Sequence, residues 1–124
     1  MRWIVDAMNV IGSKPDGWWK DRRGALVGLV GRLERWSEAE GQQVTVVLEG
    51  PVRPAIRSTV IDICHAPRAA ANSADDEIVR LVYADSRPDA VTVVTSDATL
   101  AGRVRDLGAL VRPAAAFRDQ TDRF

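Results

Sequence analysis

Trp3–Asn9, WIVDAMN, is the stretch whose reading decides the fold. Trp3, Ile4 and Val5 form a short apolar run without polar alternation, as expected of a strand buried on both faces. The run stops on Asp6. Two further runs end the same way: Val91–Val94 leads through Thr95 and Ser96 to Asp97, and Val44–Leu48 ends on Glu49 before a Gly-Pro turn. A fourth stretch, Asn72–Leu81 (NSADDEIVRL), opens a predicted helix with Asp75 and Asp76. Ser73 can serve there as N-cap, and acids in a first turn suit the positive end of the helix dipole. Capping accounts for one acid, but not for several segments delivering acids to one place.

Working outward, the loop after Asp6 runs through Asn9, Gly12, Pro15 and Gly17 to Asp21. Asp21 caps a helix from about Arg22 to Glu40, closed by Gly41, with Leu26, Leu29, Val30, Leu33 and Trp36 at helical spacing. A weaker strand is predicted near Thr59–Cys64, then a connection, HAPRAAAN, and the Asp75/Asp76 helix to about Ser86. After Asp97 come a short helix to Leu107 and a fifth strand at about Ala109–Arg112. For the tail beyond Pro113, residues 113–124, the pattern leaves a helical turn and an unstructured end both open.

Alternating buried strands and amphipathic helices argue a three-layer α/β fold with a five-stranded, mainly parallel sheet flanked by helices. The first strand is expected at the centre, with the second and fourth beside it. Ligands of such sheets bind outside the carboxyl ends of the strands, where strand order reverses. Asp6, Glu49 and Asp97 would then share one rim, and the start of the Asp75/Asp76 helix would lie near it.

The 124 residues read as a single domain. Lys+Arg and Asp+Glu number 17 each, so net charge gives no argument for a polyanionic partner. A lone Cys64 excludes an internal disulfide and a cysteine-cluster metal site, and suits a reducing compartment. With no signal-peptide pattern and no apolar run of spanning length, the expected location is the cytoplasm, away from membranes.

Two carboxylates ~5 Å apart repel by about 3 kcal/mol at an effective dielectric near 20. A cluster of them calls for raised pKa values or a cation at its centre. All-oxygen donors select Mg²⁺ or Mn²⁺ over zinc, and such cations serve attack on phosphodiesters. Each acid also has a plainer reading. Asp97 can cap the helix from Ala98, Glu49 can be a turn-edge acid, and Asp76 a solvated dipole partner. Asp75, about 100° round the helix from Asp76, lies in line with Ile78, Val79 and Val82 and leans towards the sheet. Asp6 has the weakest plain reading.

Asp6–Gly12 (DAMNVIG), Ser73–Ile78 (SADDEI) and Val93–Asp97 (VVTSD) together resemble the NYN domains of the PIN-like nucleases, in particular the bacterial YacP-like ribonucleases. The resemblance runs from Trp3 to about Val111. It implies a PIN-like fold and a Mg²⁺- or Mn²⁺-dependent endoribonuclease acting on RNA, ribosome-associated mRNA included. It further implies that Asp6, Asp76 (or Asp75) and Asp97 hold the metal, with Asn9 shaping the site; the catalytic set is Asp6, Asn9, Asp75, Asp76 and Asp97. Three positions depart from the family pattern: Ala7 stands for glycine, Ala101 for a further acid found in many PIN-like enzymes, and Glu49 for aspartate. For substrate, the expected contacts are Arg22 and Arg23 after the Trp18-Trp19-Lys20 stretch, Arg53 and Arg57 on the loop past Glu49 near the same rim, and Ser96; solvated loop arginines and packed tryptophans are the plain alternative. His65 reads as an edge residue and Cys64 as core. The rival function is a non-catalytic RNA- or ribosome-binding module, favoured by Ala101. A receiver-like domain is opposed by Arg112-Pro113 where a lysine is needed, and a phosphatase by Met8 where a second aspartate is needed. A homo-oligomer is compatible with the sequence, which carries no signal of one.

Overall fold

A computed structural model describes residues 1–68, 70 and 73–124. Its sheet has five strands, all parallel, in the order β3-β2-β1-β4-β5. These are β1 (Arg2–Asp6), β2 (Gln43–Leu48), β3 (Asp62–His65), β4 (Val91–Val94) and β5 (Leu110–Arg112). The expected centre and neighbours hold: β1 pairs with β2 on one side and β4 on the other. Strand order reverses between β1 and β4, and that is the switch point. The register sets Asp6 opposite Val47, and Val5 opposite Val94, so Asp6 and Thr95 end their strands level with each other.

Successive side chains of β1 serve opposite faces, as the period of a strand requires. Val5 packs with Val10, Leu29, Leu33, Trp36 and Phe117, the layer of α1 (Ala7–Ile11), α2 (Arg22–Glu40) and α5 (Ala114–Thr121). Ile4 packs with Ile78, Val82, Leu100 and Val104, the layer of α3 (Ser73–Ala84) and α4 (Ala98–Asp106). Burying side chains of this kind contributes about 1.5–3 kcal/mol each. The α2 stripe is buried as its spacing foretold, Asp21 accepts the amide of Gly24, and Gly41 ends the helix at φ 64°, a conformation that favours glycine. No described helix is long and apolar enough to cross a membrane.

Three expectations change. The segment after Asp6 is not a loop from its first residue: α1 begins at Ala7, which is fully buried and helical, so the position needs no glycine. The tail is the helix α5. Ser73 is the first residue of α3, and its hydroxyl donates to the carbonyl of Glu49 at 2.6 Å, tying the helix start to the end of β2. Of the HAPRAAAN connection and the NSADD stretch, positions 69, 71 and 72 lie outside the described residues.

Candidate active site

The carboxyl ends of β1, β2 and β4 and the first turn of α3 meet on one rim. At its centre Asp6 is 3% exposed. The Asn9 amide nitrogen donates to its Oδ2 at 2.8 Å and the Thr95 hydroxyl to the same oxygen at 3.2 Å. Burial, and then the charge of Asp75, push its pKa up to about 6, against the pull of these hydrogen bonds. Asn9 does two things, because α1 turns it back over Asp6: its Oδ1 accepts the backbone amide of Ser96 at 3.1 Å, clamping β1 to the β4 exit. Thr95 likewise accepts the Asp97 amide at 3.1 Å.

Asp97 caps α4 through a hydrogen bond from the Leu100 amide to Oδ1 at 2.9 Å, so its plain reading holds, on the same rim. The two acids of α3 part company. Asp75 is partly buried, and its carboxyl is held above its ordinary value by desolvation and then by the charge of Asp97, with Asp76 and Glu49 adding to it and Arg103 opposing. Asp76 is exposed and accepts from the Arg103 guanidinium at 3.0 Å. The charge couplings therefore run Asp6–Asp75–Asp97, and Asp76 is turned to a cation on α4.

The donor chemistry of this rim suits a hard divalent cation: all oxygen, mutually repelling, and with both side-chain hydrogen bonds to Asp6 gathered on one of its oxygens. Its arrangement is open. Among the described residues no three acidic, histidine or cysteine side chains come close enough together to hold a metal ion; Asp97 is engaged in the α4 cap and Asp76 in the pair with Arg103.

The model of the YacP-like NYN domain family matches residues 3–124. The chain belongs to that family. Two solved structures are similar to it: Rae1 (YacP) from Bacillus subtilis, 22% identical, and a tryptophan-to-leucine variant of that protein, 20% identical. Each gives a TM-score of 0.79 over 99% of this chain, and 74% and 75% of the respective solved chain. At such identities the likeness carries the fold alone. A comparison with curated proteins returns no match.

Within the NYN frame the remaining residues fall into place unevenly. Arg22 is exposed, lies across the Trp18 ring at 5.4 Å, and lines a hollow with Met8 and Glu49. Arg23 donates to the Pro54 carbonyl at 2.6 Å, holding the loop that carries the exposed Arg53 against the start of α2. Arg57 is not near the rim as expected: it borders a groove with Glu34, Thr59 and Asp62 at the amino-terminal start of β3, because the chain from Pro51 descends along α2 before re-entering the sheet. Ser96 is exposed, but its hydroxyl accepts the Ala114 amide at 3.0 Å and so anchors α5. Trp18 packs against the core while Trp19 is 52% exposed. His65 ends edge strand β3, exposed, and Cys64 is half-buried.

Sequence reasoning missed Thr95, Arg103 and Arg118. Thr95 stood in the quoted VVTSD motif, where a hydroxyl level with Asp6 across adjacent strands was the available signal. Arg103 sits in the second turn of α4, and only the packing of α4 on α3 brings it to Asp76.

Proposed function

We propose that this domain is a metal-dependent endoribonuclease that cleaves RNA, with Mg²⁺ or Mn²⁺ as cofactor. The observation that carries the reading is Asp6, a carboxylate buried at the switch point whose strongest unfavourable charge is Asp75 on another element. Natural folds seldom retain so costly a group where it serves packing alone. Asp6, Asp75 and Asp97 would hold the cation. The resemblance allowed Asp76 or Asp75 in this set, and the Arg103 pair supports Asp75, leaving Asp76 and Arg103 as a flanking ion pair. A cation bound there supplies charge neutralisation at the phosphodiester and acidifies attacking water. The chain's own residues do the rest: Asn9 and Thr95 fix the Asp6 carboxylate, and Arg22 offers a cation to the incoming backbone.

The second reading, a non-catalytic RNA- or ribosome-binding module, is favoured by one observation: three carboxylates do not close into a ligand set among the described residues. Incubating the protein with single-stranded RNA and Mn²⁺ separates the two. Cleavage that stops in EDTA and falls by orders of magnitude in Asp6→Asn, with RNA still bound, is the expected result. Undiminished cleavage in excess chelator would exclude the carboxylate mechanism, and firm RNA binding without cleavage would favour the module.

A further inference from the structure

On the β2 side of Asp6 lies a hollow of about 170 Å³ lined by Met8, Arg22, Leu26, Leu48, Glu49 and Val52. Three observations limit what it can hold. Its volume is well below the roughly 300–1,000 Å³ typical of sites for whole small molecules, so it suits one planar ring system of a larger ligand. Its walls are mainly apolar: Leu26 and Leu48 are buried, and Met8 and Val52 pack against the same core. The charged residues on its lining are Arg22 and Glu49, beside Gly50 and Pro51. Arg22 is braced across Trp18, which presents a pre-ordered flat cation, the surface on which an unstacked base packs.

Position ties the hollow to the acidic rim. Met8 is two residues beyond Asp6, and Glu49 is two beyond Val47, the register partner of Asp6. The Ser73 hydroxyl holds the Glu49 carbonyl, so the helix bearing Asp75 is fastened to the lip of the hollow. The charge of Glu49 is felt at Asp75.

We infer that this hollow receives a single unstacked RNA base beside the acidic rim, and that Glu49 makes it favour bases with an exocyclic amino group over uracil. The inference rests on the RNA reading given above. Adenine, cytosine and guanine each bring an N–H₂ donor to a carboxylate. The pairing edge of uracil has one N–H between two carbonyl oxygens, which a carboxylate repels. The hollow thus acts as a specificity pocket, choosing a nucleotide near the cleaved bond while backbone contacts remain indifferent to sequence.

Binding in EDTA tests this without cleavage. Labelled uridine tracts carrying one central adenine, cytosine, guanine or abasic position would be titrated with the wild-type protein, with Glu49→Gln and with Val52→Trp, which fills the hollow; melts check that the variants fold, and Val52→Phe replaces the tryptophan variant if it does not. One amino-bearing base is expected to tighten wild-type binding at least about tenfold over the plain or abasic tract, the scale of one stacked and hydrogen-bonded base. Glu49→Gln should level uracil with the other bases, and the filled variant should bind all tracts alike. Equal wild-type affinity for every tract, with RNA still bound, would overturn the base pocket and leave the RNA reading standing. No affinity for any tract would overturn both.

Discussion

Asp6 is a carboxylate that the fold holds in its less favoured ionised form at neutral pH. Its pKa rises from 3.8 unfolded to about 6 folded, so between those values the folded state binds more protons. Stability is therefore lost as pH rises from about 4 to 6, and the loss is complete above the folded pKa. The shift of about two units corresponds to roughly 3 kcal/mol at most. Asp6→Asn removes this charge while keeping the shape. In EDTA the variant should match or exceed the parent above pH 6, plausible gains being ~1 kcal/mol or more, with the advantage shrinking towards pH 4; urea melts across this range give the answer. A variant less stable than the parent at pH 7 would mean that the hydrogen bonds from Asn9 and Thr95 outweigh burial. The two acids of α3 make a matched pair for the metal. Mn²⁺ should raise the melting temperature of the parent and of Asp76→Asn, and that of Asp75→Asn much less, because a ligand stabilises only the state that binds it. Equal Mn²⁺ shifts in both variants would remove Asp75 from the ligand set.

At the scale of elements, what was legible depended on whether an element's buried stripe was apolar. Helix α2 shows Leu26, Leu29, Val30, Leu33 and Trp36 at helical spacing, and its observed bounds match those expected. Helix α5 buries Ala114, Phe117, Arg118 and Thr121, also at helical spacing, but half of that stripe is polar and the sequence pattern is silent. Arg118 can be buried because it donates to the carbonyls of Val10 and Ile11 at 3.4 and 3.0 Å and pairs with Asp16 at 2.5 Å. Both carbonyls end α1, where helix geometry leaves acceptors short of partners; that of Val10 also accepts from the amide and hydroxyl of Ser13, so the Ile11 carbonyl is the one Arg118 chiefly serves. The far end of the chain thus caps the helix that begins at the candidate active site, a relation no local pattern can announce. Helix α1 was missed for a related reason: five residues are too few to show a period. Arg118→Met keeps the length and loses the caps, and should destabilise by about 1.5–3 kcal/mol, the range for hydrogen bonds to charged groups. Denaturation midpoints measure it; a change below ~0.5 kcal/mol would make the Arg118 contacts incidental.

At the scale of the molecule, the strand ends were readable because an acid closing a buried run has few other uses, whereas surface arginines carry no such constraint. Net charge is zero, so any attraction to RNA comes from where the cations stand, not how many there are. The order of strands puts Arg22 on the acidic rim and Arg57 at the opposite, amino-terminal end of β3, although both lie close in sequence to rim segments. This separation turns the arginine set into an internal comparison. Arg22→Gln should weaken binding to single-stranded RNA and reduce the slope of log affinity against log salt by about one phosphate's worth, roughly 0.7 for a single strand. Arg57→Gln should leave both affinity and slope unchanged. Neither should alter stability by more than ~0.5 kcal/mol, since both side chains are exposed. Titrations at several salt concentrations read the slopes directly. If the Arg57 variant lost as much slope as the Arg22 variant, the RNA path would have to run down the α2–β3 groove, away from the acids, and the carboxyl-end rim would lose its claim to be where the backbone is held.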